Sequence, residues 1–369
     1  MIRVAHIIDV MSSGGIEAVV MNYYRNVDKS KVQFDFIVSD KSTLPQKEEI
    51  EKLGGRIFIT PRVTKLFAYK KALKKIFEEN NYQIVHCHMG ALAMFPLSVA
   101  KKCKVPVRIC HAHSTSSKKE IVRTLIKNIL KPFAKKNATH YFACSEHAGR
   151  WLFGSKTFES GKVKVLNNAI DLSKFAYNEE IRKDVRSKLK LDDKFVVGHI
   201  GRFNEQKNHA FLIDIFAEIA KKKQNAVLLL IGEGPLEEQI KQKVENLGLK
   251  SKVKFLGVMK DTSKIYQAFD VFVLPSLYEG LPVVGVEAQA SGTNCYVSTT
   301  VSKELEMTDN IKFVSLEEEP KVWAEEILKI DYTKNADAIK ELTNHGYNIK
   351  NEATKLQEFY EKLGAKNEN

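Results

Sequence analysis

The sequence lacks the cysteine pattern of a disulfide-stapled protein or a zinc site. Its 369 residues include five cysteines, and no two of them stand in the CxxC spacing. An odd, dispersed set of cysteines is typical of reduced thiols, which favours a cytoplasmic location. A disulfide framework and a structural zinc centre are therefore excluded as the basis of the fold.

The sequence also lacks a run of about 20 apolar residues, so no transmembrane helix is expected. The first ten residues, MIRVAHIIDV, contain an aspartate and no small-residue cleavage site, and we expect a buried strand there rather than a signal peptide. A hydrophobic content of 44% and a charged content of 28% are ordinary for a soluble globular protein, and the length favours two domains.

Acidic residues are scarce in the first half of the chain. Residues 1–175 hold 30 of the 58 Lys and Arg but only 14 of the 45 Asp and Glu, a net charge of +16 against −3 for the remainder. Such asymmetry suggests an anionic partner for the first half, such as a membrane surface, a nucleic acid or a phosphorylated substrate. Solvated lysine-rich helices are the alternative, and the composition leaves both open.

Short apolar runs alternate with segments of helical period in both halves. We predict buried strands at residues 3–9, 34–40, 56–60, 84–88, 107–113, 140–145, 195–201, 226–232, 253–257, 271–276 and 294–299. This alternation predicts an α/β protein with two doubly wound, Rossmann-like domains and a boundary after residue 175. Ligands of such sheets bind beyond the carboxyl ends of the strands.

Two glycine-containing loops follow predicted first strands. SSGGIEAV (12–19) would bend sharply before a helix whose free N–H groups attract phosphate or carboxylate, although it could equally be a plain turn. In GRFNEQKN (201–208), Arg202 and Lys207 stand at the end of a strand, where a guanidinium and an ammonium suit a diphosphate. The IGEGP segment (231–235) would allow close approach by a ligand or by the neighbouring loop.

The stretch YEGLPVVGVEAQA (278–290) places two acids around a helix start. Glu279 falls in the loop before the helix, Pro282 fits its first turn, and Glu287 lies one to two turns in. One carboxylate could accept hydrogen bonds from a sugar and the other from a ribose diol. Two ordinary acids beside a helix remain the alternative. The backbone of Val258 would lie at the edge of the same crevice.

The motifs GRFNEQKN, IGEGP and EGLPVVGVE resemble, in this order and spacing, the donor half of retaining GT-B glycosyltransferases of the group 1, or family 4, type. This group includes bacterial capsule and exopolysaccharide enzymes, whose members the tail at 301–328 resembles. SSGGIEAVV, CHAHST (110–115), ACSEHA (143–148) and NNAID (167–171) resemble the landmarks of the first half. The resemblance implies two Rossmann-like domains that face each other across a cleft.

The resemblance also implies which domain binds each substrate. Residues 1–175 would bind the acceptor and residues 176–345 the nucleotide sugar, and the helix within 346–369 could cross back to the first domain. Arg202 and Lys207 would hold the donor diphosphate. Glu287 would bind the ribose hydroxyls, and Glu279 would contact the donor sugar near the reacting centre.

Further roles follow from the same resemblance. Leu281, Pro282 and Val283 would border the donor, with backbone N–H groups of this segment assisting. Gly15 would border the phosphate and the acceptor. His113 would lie close to the donor sugar as a catalytic residue, and His111 competes for this assignment because alternate residues of a strand share a face.

The implied reaction transfers a hexosyl group from a nucleotide sugar, expected to be a UDP-sugar, to a hydroxyl of a saccharide or polyprenyl-linked acceptor with retention of configuration. No metal and no cofactor are expected, since no acidic metal triad is evident and two cations could replace the ion. The basic segment 118–136 suits the anionic inner face of a membrane, although Pro132 interrupts it and a packed helix is the alternative.

Nucleic-acid binding is not expected, because no basic-aromatic motif appears. Two rival functions remain on the same fold, a nucleotide-sugar epimerase and a non-catalytic nucleotide-sugar-binding protein. Turnover of the donor without an acceptor would favour the first, and binding without turnover the second.

Overall fold

The computed structural model describes residues 1–12, 15–113, 121–329 and 331–365, apart from the side chains of residues 121–123. The strands are β1 (Ile2–Ile7), β2 (Val32–Ser39), β3 (Arg56–Thr60), β4 (Ile84–Cys87), β5 (Val107–Ala112), β6 (His140–Ala143), β7 (Val163–Val165), β8 (Phe195–Ile200), β9 (Ala226–Ile231), β10 (Val253–Phe255), β11 (Val271–Leu274), β12 (Asn294–Ser298) and β13 (Ile311–Val314).

Helices connect these strands throughout the described part of the chain. They are α1 (Gly15–Asn26), α2 (Lys47–Lys52), α3 (Leu66–Asn80), α4 (Met94–Lys102), α5 (Ile121–Asn137), α6 (Glu146–Phe153), α7 (Ser155–Glu159), α8 (Leu172–Phe175), α9 (Glu179–Leu189), α10 (His209–Lys222), α11 (Glu237–Asn246), α12 (Ser263–Ala268), α13 (Val283–Ala290), α14 (Pro320–Leu328), α15 (Ala338–Asn344) and α16 (Ile349–Ala365).

The chain forms two compact units, Met1–Ile170 with Asn348–Asn369, and Asp171–Tyr347. The first unit contains a seven-stranded sheet in the order β3-β2-β1-β4-β5-β6-β7, and every pair is parallel. The connections change direction at β1, which pairs with both β2 and β4. Such a reversal point is where ligands of doubly wound sheets bind.

The second unit repeats this plan with a six-stranded parallel sheet in the order β10-β9-β8-β11-β12-β13. Its reversal point lies at β8, between β9 and β11. All six residues of β8 and of β9 are buried, because helices cover both faces of a parallel sheet. This explains why the strands appear in the sequence as continuous apolar runs rather than as alternating patterns.

The last helix belongs to the first unit. The Tyr360 hydroxyl on α16 lies 2.6 Å from His86 Nδ1 on β4, and both side chains are fully buried. At the entry to this helix, the Ile349 N–H donates to the Ile170 carbonyl at 3.0 Å. The chain therefore returns to the first sheet after it has completed the second.

A buried carboxylate stabilises the edge of the first sheet. Asp35 on β2 has no exposed surface and accepts hydrogen bonds from Arg3 at 3.0 Å, Arg56 at 3.1 Å and Tyr82 at 2.8 Å. Burial raises the pKa of this carboxyl, but the three donors outweigh it and leave the pKa below its ordinary value. The paired charge links β1, β2 and β3.

Two features differ from the sequence-based predictions. The strands β7 and β13, two edge strands of three and four residues with exposed or half-buried positions, were not predicted. Pro132 does not interrupt the basic segment, since α5 continues through it to Asn137. Pro132 and Asn128 are both exposed, so water can satisfy the carbonyl that the proline leaves without a donor. No helix within the described ranges is long and apolar enough to span a bilayer.

Candidate active site

A lysine and a glutamate of the second unit form an ion pair between two loops, which follow neighbouring strands. Lys207 lies after β8 and Glu279 after β11. Lys207 Nζ is 2.6 Å from Glu279 Oε1, and only 15% and 12% of the two side chains are exposed. Ser276 Oγ donates to the same carboxylate oxygen at 3.3 Å. The strand order thus joins two residues that are far apart in the sequence.

Main-chain contacts fix the two loops against each other. The Leu277 N–H donates to the Gln206 carbonyl at 2.8 Å, and Gln206 Nε2 donates to the Tyr278 carbonyl at 3.0 Å. On its other side, Glu279 forms a parallel bridge with Val301. The Lys207–Glu279 pair therefore has a defined position at the carboxyl edge of the second sheet.

The loop that carries Arg202 lies directly against the IGEGP loop after β9. A Cβ at Gly232 would lie 2.2 Å from the Gly201 carbonyl oxygen, and one at Gly234 would lie 2.4 Å from the Phe203 carbonyl oxygen. No side chain fits at such distances. Of the two explanations that the sequence allows for these glycines, the structure supports close approach of the neighbouring loop.

Arg202 extends from this tightly packed segment toward solvent. Its side chain is exposed and has no hydrogen bond or ion pair with any residue of the described ranges. Lys207, on the same loop, is engaged with Glu279. The second unit therefore presents one unpaired guanidinium and one paired ammonium at the carboxyl end of β8.

Glu287 lies on α13 and is bonded by a buried tyrosine. The Tyr266 hydroxyl donates to Glu287 Oε2 at 2.8 Å. Burial raises the pKa of Glu287 to about 7, and the hydrogen bond from Tyr266 opposes this shift. Glu287 thus changes its charge close to neutral pH, which is unusual for a glutamate and is found at functional sites.

The residues before α13 differ slightly from expectation. The helix begins at Val283, and Pro282 precedes it in an extended conformation instead of occupying the first turn. Leu281 is half-buried beside it. Val258 is 63% exposed on the loop after β10, and the preceding Gly257 carbonyl accepts the Gly232 N–H at 2.8 Å. These residues all lie in segments that follow strands of the second sheet. Ligands of parallel sheets bind at this edge.

A pocket of the first unit lies at the carboxyl ends of β1, β4 and β5. Its ionisable lining groups are Asp9, Glu17, His88, His113 and Lys127. Gly15 begins α1 directly before the lining residue Ile16, whereas its neighbour Gly14 lies outside the described residues. His113 lines the pocket, but His111 is fully buried and does not, so the geometry favours His113 over the competing assignment.

The pocket contains groups whose protonation is altered by burial. Burial raises the pKa of Asp9, and the charge of Arg62 partly opposes it. Burial also lowers the pKa of His113 to about 3, so its imidazole is neutral at physiological pH. Glu17 Oε1 accepts the Ser12 N–H at 3.0 Å. His113 can therefore donate or accept a hydrogen bond here without carrying charge.

Five histidines, two of which line this pocket, cluster on and directly after β1, β4 and β5. Two sets of three have ring nitrogens within 4.8 Å of one another, which is close enough to consider a shared ion. They are His6, His86 and His88, and His88, His111 and His113. Of these five histidines, only His111 and His113 on and after β5 were predicted from the sequence as site residues. The HxH spacing in IVHCH and in CHAH was the available signal, because alternate residues of a strand share a face.

Three further residues were missed in the sequence. Tyr266 and Ser276 hydrogen-bond to the two glutamates, and Asp9 lines the first-unit pocket. None of them belongs to a recognisable motif, since a lone Tyr, Ser or Asp near a strand end occurs often by chance. Part of the basic segment predicted at 118–136, residues 118–120, lies outside the described residues.

Two parallel Rossmann-like sheets, with candidate residues at their carboxyl edges, are the architecture of the GT-B fold. The family model described as "Glycosyl transferases group 1" matches residues 180–346, and "Glycosyltransferase Family 4" matches residues 13–174. The glycosyltransferase named EpsF of Bacillus subtilis is 38% identical over 337 residues, which cover 89% of this chain and 87% of that protein. The chain belongs to this glycosyltransferase family.

Two further proteins extend the comparison. The Escherichia coli protein named UDP-Gal:alpha-D-GlcNAc-diphosphoundecaprenol alpha-1,3-galactosyltransferase is 27% identical over 310 residues, covering 80% of this chain and 79% of that one. The structure of Anabaena HepE with UDP-glucose matches with a TM-score of 0.73 at 18% identity, covering 100% of this chain and 99% of that one. The second likeness is one of fold.

Proposed function

We propose that this protein is a retaining glycosyltransferase that transfers a hexosyl group from a UDP-sugar to a hydroxyl of a saccharide on a lipid-linked acceptor, in the synthesis of a bacterial surface polysaccharide. The observation that carries the proposal is the Lys207–Glu279 pair beside the unpaired Arg202, at the reversal point of the second sheet. The names of the E. coli relative and of the HepE complex support a uridine diphosphate donor.

Arg202 and Lys207 are proposed to bind the diphosphate. In the reaction, the bond from the anomeric carbon to the diphosphate oxygen breaks, and a bond to the acceptor hydroxyl oxygen forms. The hydroxyl proton passes to the departing diphosphate. Negative charge grows on that leaving group, and the two cations would stabilise it where a metal ion would otherwise be needed. We therefore propose that the reaction requires neither a metal ion nor a cofactor.

The carboxylates and the histidine are proposed to bind sugar hydroxyls. Glu279, held by Lys207 and Ser276, would contact the donor sugar, with the backbone of Leu281 to Val283 beside it. Glu287 would accept hydrogen bonds from the ribose hydroxyls. In the first unit, His113 would contact the reacting sugar. The pocket lined by Asp9 and by the start of α1, which begins at Gly15, would bind the acceptor. Val258 would border the base.

Helix α5 supports the proposed attachment to a membrane. Leu125, Ile129 and Phe133 are 61%, 58% and 49% exposed, and they recur at the four-residue spacing that places side chains on one face of a helix. Lysines in the same helix supply positive charge. An exposed apolar face with cationic neighbours suits an anionic lipid surface, on which a polyprenyl-linked acceptor would lie.

Vesicle flotation tests this attachment. The protein should float with vesicles that contain anionic lipid, less with neutral vesicles, and less with anionic vesicles after Leu125→Ser with Ile129→Ser. Leu247→Ser removes an exposed leucine, 46% accessible, from the second unit and should change nothing. Equal flotation of the double variant would contradict a membrane role for α5.

Thermal unfolding with a panel of nucleotides and nucleotide sugars tests the donor site. A ligand at about a hundred times its dissociation constant should add roughly 2.7 kcal/mol to the stability. We expect a shift with uridine nucleotides that Glu287→Ala reduces and that Glu180→Ala, at an exposed site on α9, does not. No shift with any nucleotide would contradict the proposal.

Product analysis of the same samples separates the rival functions. Conversion of the donor to an isomeric nucleotide sugar would identify an epimerase. Binding without transfer to any acceptor and without hydrolysis would identify a binding protein. Transfer to an added saccharide acceptor would exclude both.

A further inference from the structure

The five buried histidines of the first unit form two hydrogen-bonded rows. In the first row, His6 Nδ1 lies 2.9 Å from His88 Nε2, and His88 Nδ1 lies 2.8 Å from His113 Nε2. The second row joins the Tyr360 hydroxyl to His86 at 2.6 Å and His86 Nε2 to His111 Nδ1 at 3.0 Å. Only the first row ends at the pocket, through His113.

The rows follow from the topology of the sheet. His6 on β1 stands opposite His86 on β4, and the HxH spacing places His88 two residues further along the same face. Rings within one chain segment face each other: His86 and His88 stack with centroids 4.4 Å apart, and His111 and His113 lie 3.9 Å apart with their planes tilted by 35°. Rings in the same row instead meet edge to edge across strands.

Ring geometry favours hydrogen bonds over a shared metal ion. The His6 and His88 rings are 15° from parallel, with centroids 5.2 Å apart, so each nitrogen points at the other ring's nitrogen. Three imidazoles on one tetrahedral zinc at about 2.0–2.1 Å would keep their ligating nitrogens roughly 3.3 Å apart and aim them at one point. The observed separations of 2.8–3.0 Å leave room for a proton.

We propose that His6 and His88 are positioning residues that fix the ring orientation and the tautomer of His113 at the wall of the first-unit pocket. This proposal rests on the proposed function for its consequence, the binding of a reacting sugar by His113. A neutral imidazole has one N–H, so a row of three rings has only two proton arrangements. The surroundings of His6, at the end of the row away from the pocket, determine which of the two proton arrangements is present.

The buried end at His6 favours protons that point toward the pocket. His6 Nε2 has no hydrogen-bond partner among the described residues. An N–H buried without an acceptor is the rarer defect in proteins, so this nitrogen carries the lone pair. His6, His88 and His113 are then all protonated on Nδ1, and His113 offers an N–H to an oxygen in the pocket. It can polarise a sugar or phosphate oxygen without placing a charge inside the protein.

Nitrogen NMR of the histidine rings tests this arrangement in the whole protein. With ¹⁵N-histidine labelling, and with His113→Asn used for assignment, His113 should be neutral at pH 6 and protonated on Nδ1 alone. His6→Phe keeps a ring but removes the donor, and should give a mixture of His113 tautomers. His6→Asn, whose amide can replace Nδ1, should restore one tautomer. Tyr360→Phe shortens the second row equally and should leave His113 unchanged.

Three results would overturn the proposal. The wild-type protein suffices for two of them, so they do not depend on whether the variants fold. His113 could carry its proton on Nε2, or one equivalent of Zn²⁺ could shift the ring signals of several histidines together, which would make the cluster a metal site. The third is an unchanged His113 tautomer in a folded His6→Phe protein.

The kinetic consequence is measured separately from the NMR. In a transfer assay, His6→Phe should lower kcat about tenfold, the effect of one misdirected buried hydrogen bond, with KM for the donor nearly unchanged and with recovery in His6→Asn. If the wild-type protein transfers nothing while the tautomers are as expected, the proposed function fails and the histidine row stands. If transfer occurs with equal kcat in His6→Phe, the positioning role is refuted.

Discussion

The charge of Glu287 should control donor binding near neutral pH. Burial raises its pKa to about 7, and in the proposed ribose contact the carboxylate accepts hydrogen bonds from two hydroxyl groups. If only the ionised form binds, about one molecule in eleven is competent at pH 6 and about ten in eleven at pH 8. The dissociation constant for a UDP-sugar should therefore be about tenfold larger at pH 6 than at pH 8.

Removal of the tyrosine hydroxyl extends this prediction. Tyr266→Phe deletes the hydrogen bond that favours the ionised form of Glu287, so the pKa of Glu287 should rise further. The pH at which affinity reaches half its maximum should move upward, and binding at pH 7 should weaken more than binding at pH 8.5. Glu287→Gln should bind weakly and without this dependence on pH.

Isothermal titration calorimetry with UDP-glucose measures both effects between pH 6 and 8.5. A nucleotide sugar is preferable to free UDP, because a terminal phosphate ionises near pH 6 and would add a titration of its own. The buried histidine His113 does not interfere, since its pKa lies near 3. Equal affinity at pH 6 and 8, or identical pH profiles for wild type and Tyr266→Phe, would refute the role assigned to Glu287.

The remaining predictions concern stability and loop packing. Gly232→Ala should lower the free energy of unfolding by at least 2 kcal/mol, because a Cβ there would clash with the Gly201 carbonyl at a backbone φ of +133°; unchanged urea denaturation would contradict this. Asp35→Asn should cost about 1–3 kcal/mol, because a neutral amide replaces the charged acceptor of the hydrogen bonds from Arg3, Arg56 and Tyr82. In wild type, the contribution of Asp35 should be present above pH 4 and vanish as the pH falls through its depressed pKa, whereas urea denaturation of Asp35→Asn should lack this loss.

The apolar runs predicted most strands because both sheets are parallel and covered on two faces. A run such as AVLLLI at β9 has no polar position to obscure it, and all six of its residues are buried. The edge strands β7 and β13 were missed, whereas the edge strands β3 and β10 were predicted, so the edge position alone does not account for the difference. The buried central strands were the most predictable part of each sheet.

The candidate site shows a similar division. The motifs identify Lys207 and Glu279, but their 2.6 Å contact depends on β8 and β11 being neighbours, and strand order is not visible in sequence spacing. The same holds for the histidine row, in which β1 meets β4 after two intervening strands in the chain. Tyr266, which tunes Glu287, is reached only through packing of α12 beside α13. The loop residues could be selected from the sequence, whereas their partners across strands could not.

A transfer assay with a UDP-sugar labelled at the anomeric carbon tests the central claim most directly. The wild-type protein, treated with a chelator and mixed with lipid-linked saccharides in anionic vesicles, should form a glycosidic bond of the same anomeric configuration as the donor. Lys207→Met and Glu279→Gln should each reduce the rate at least a hundredfold, as loss of charge stabilisation at a reacting centre does. Lys340→Met, at an exposed site of the same unit, should not. An inverted product, a strict requirement for metal, or full activity in both site variants would contradict the account.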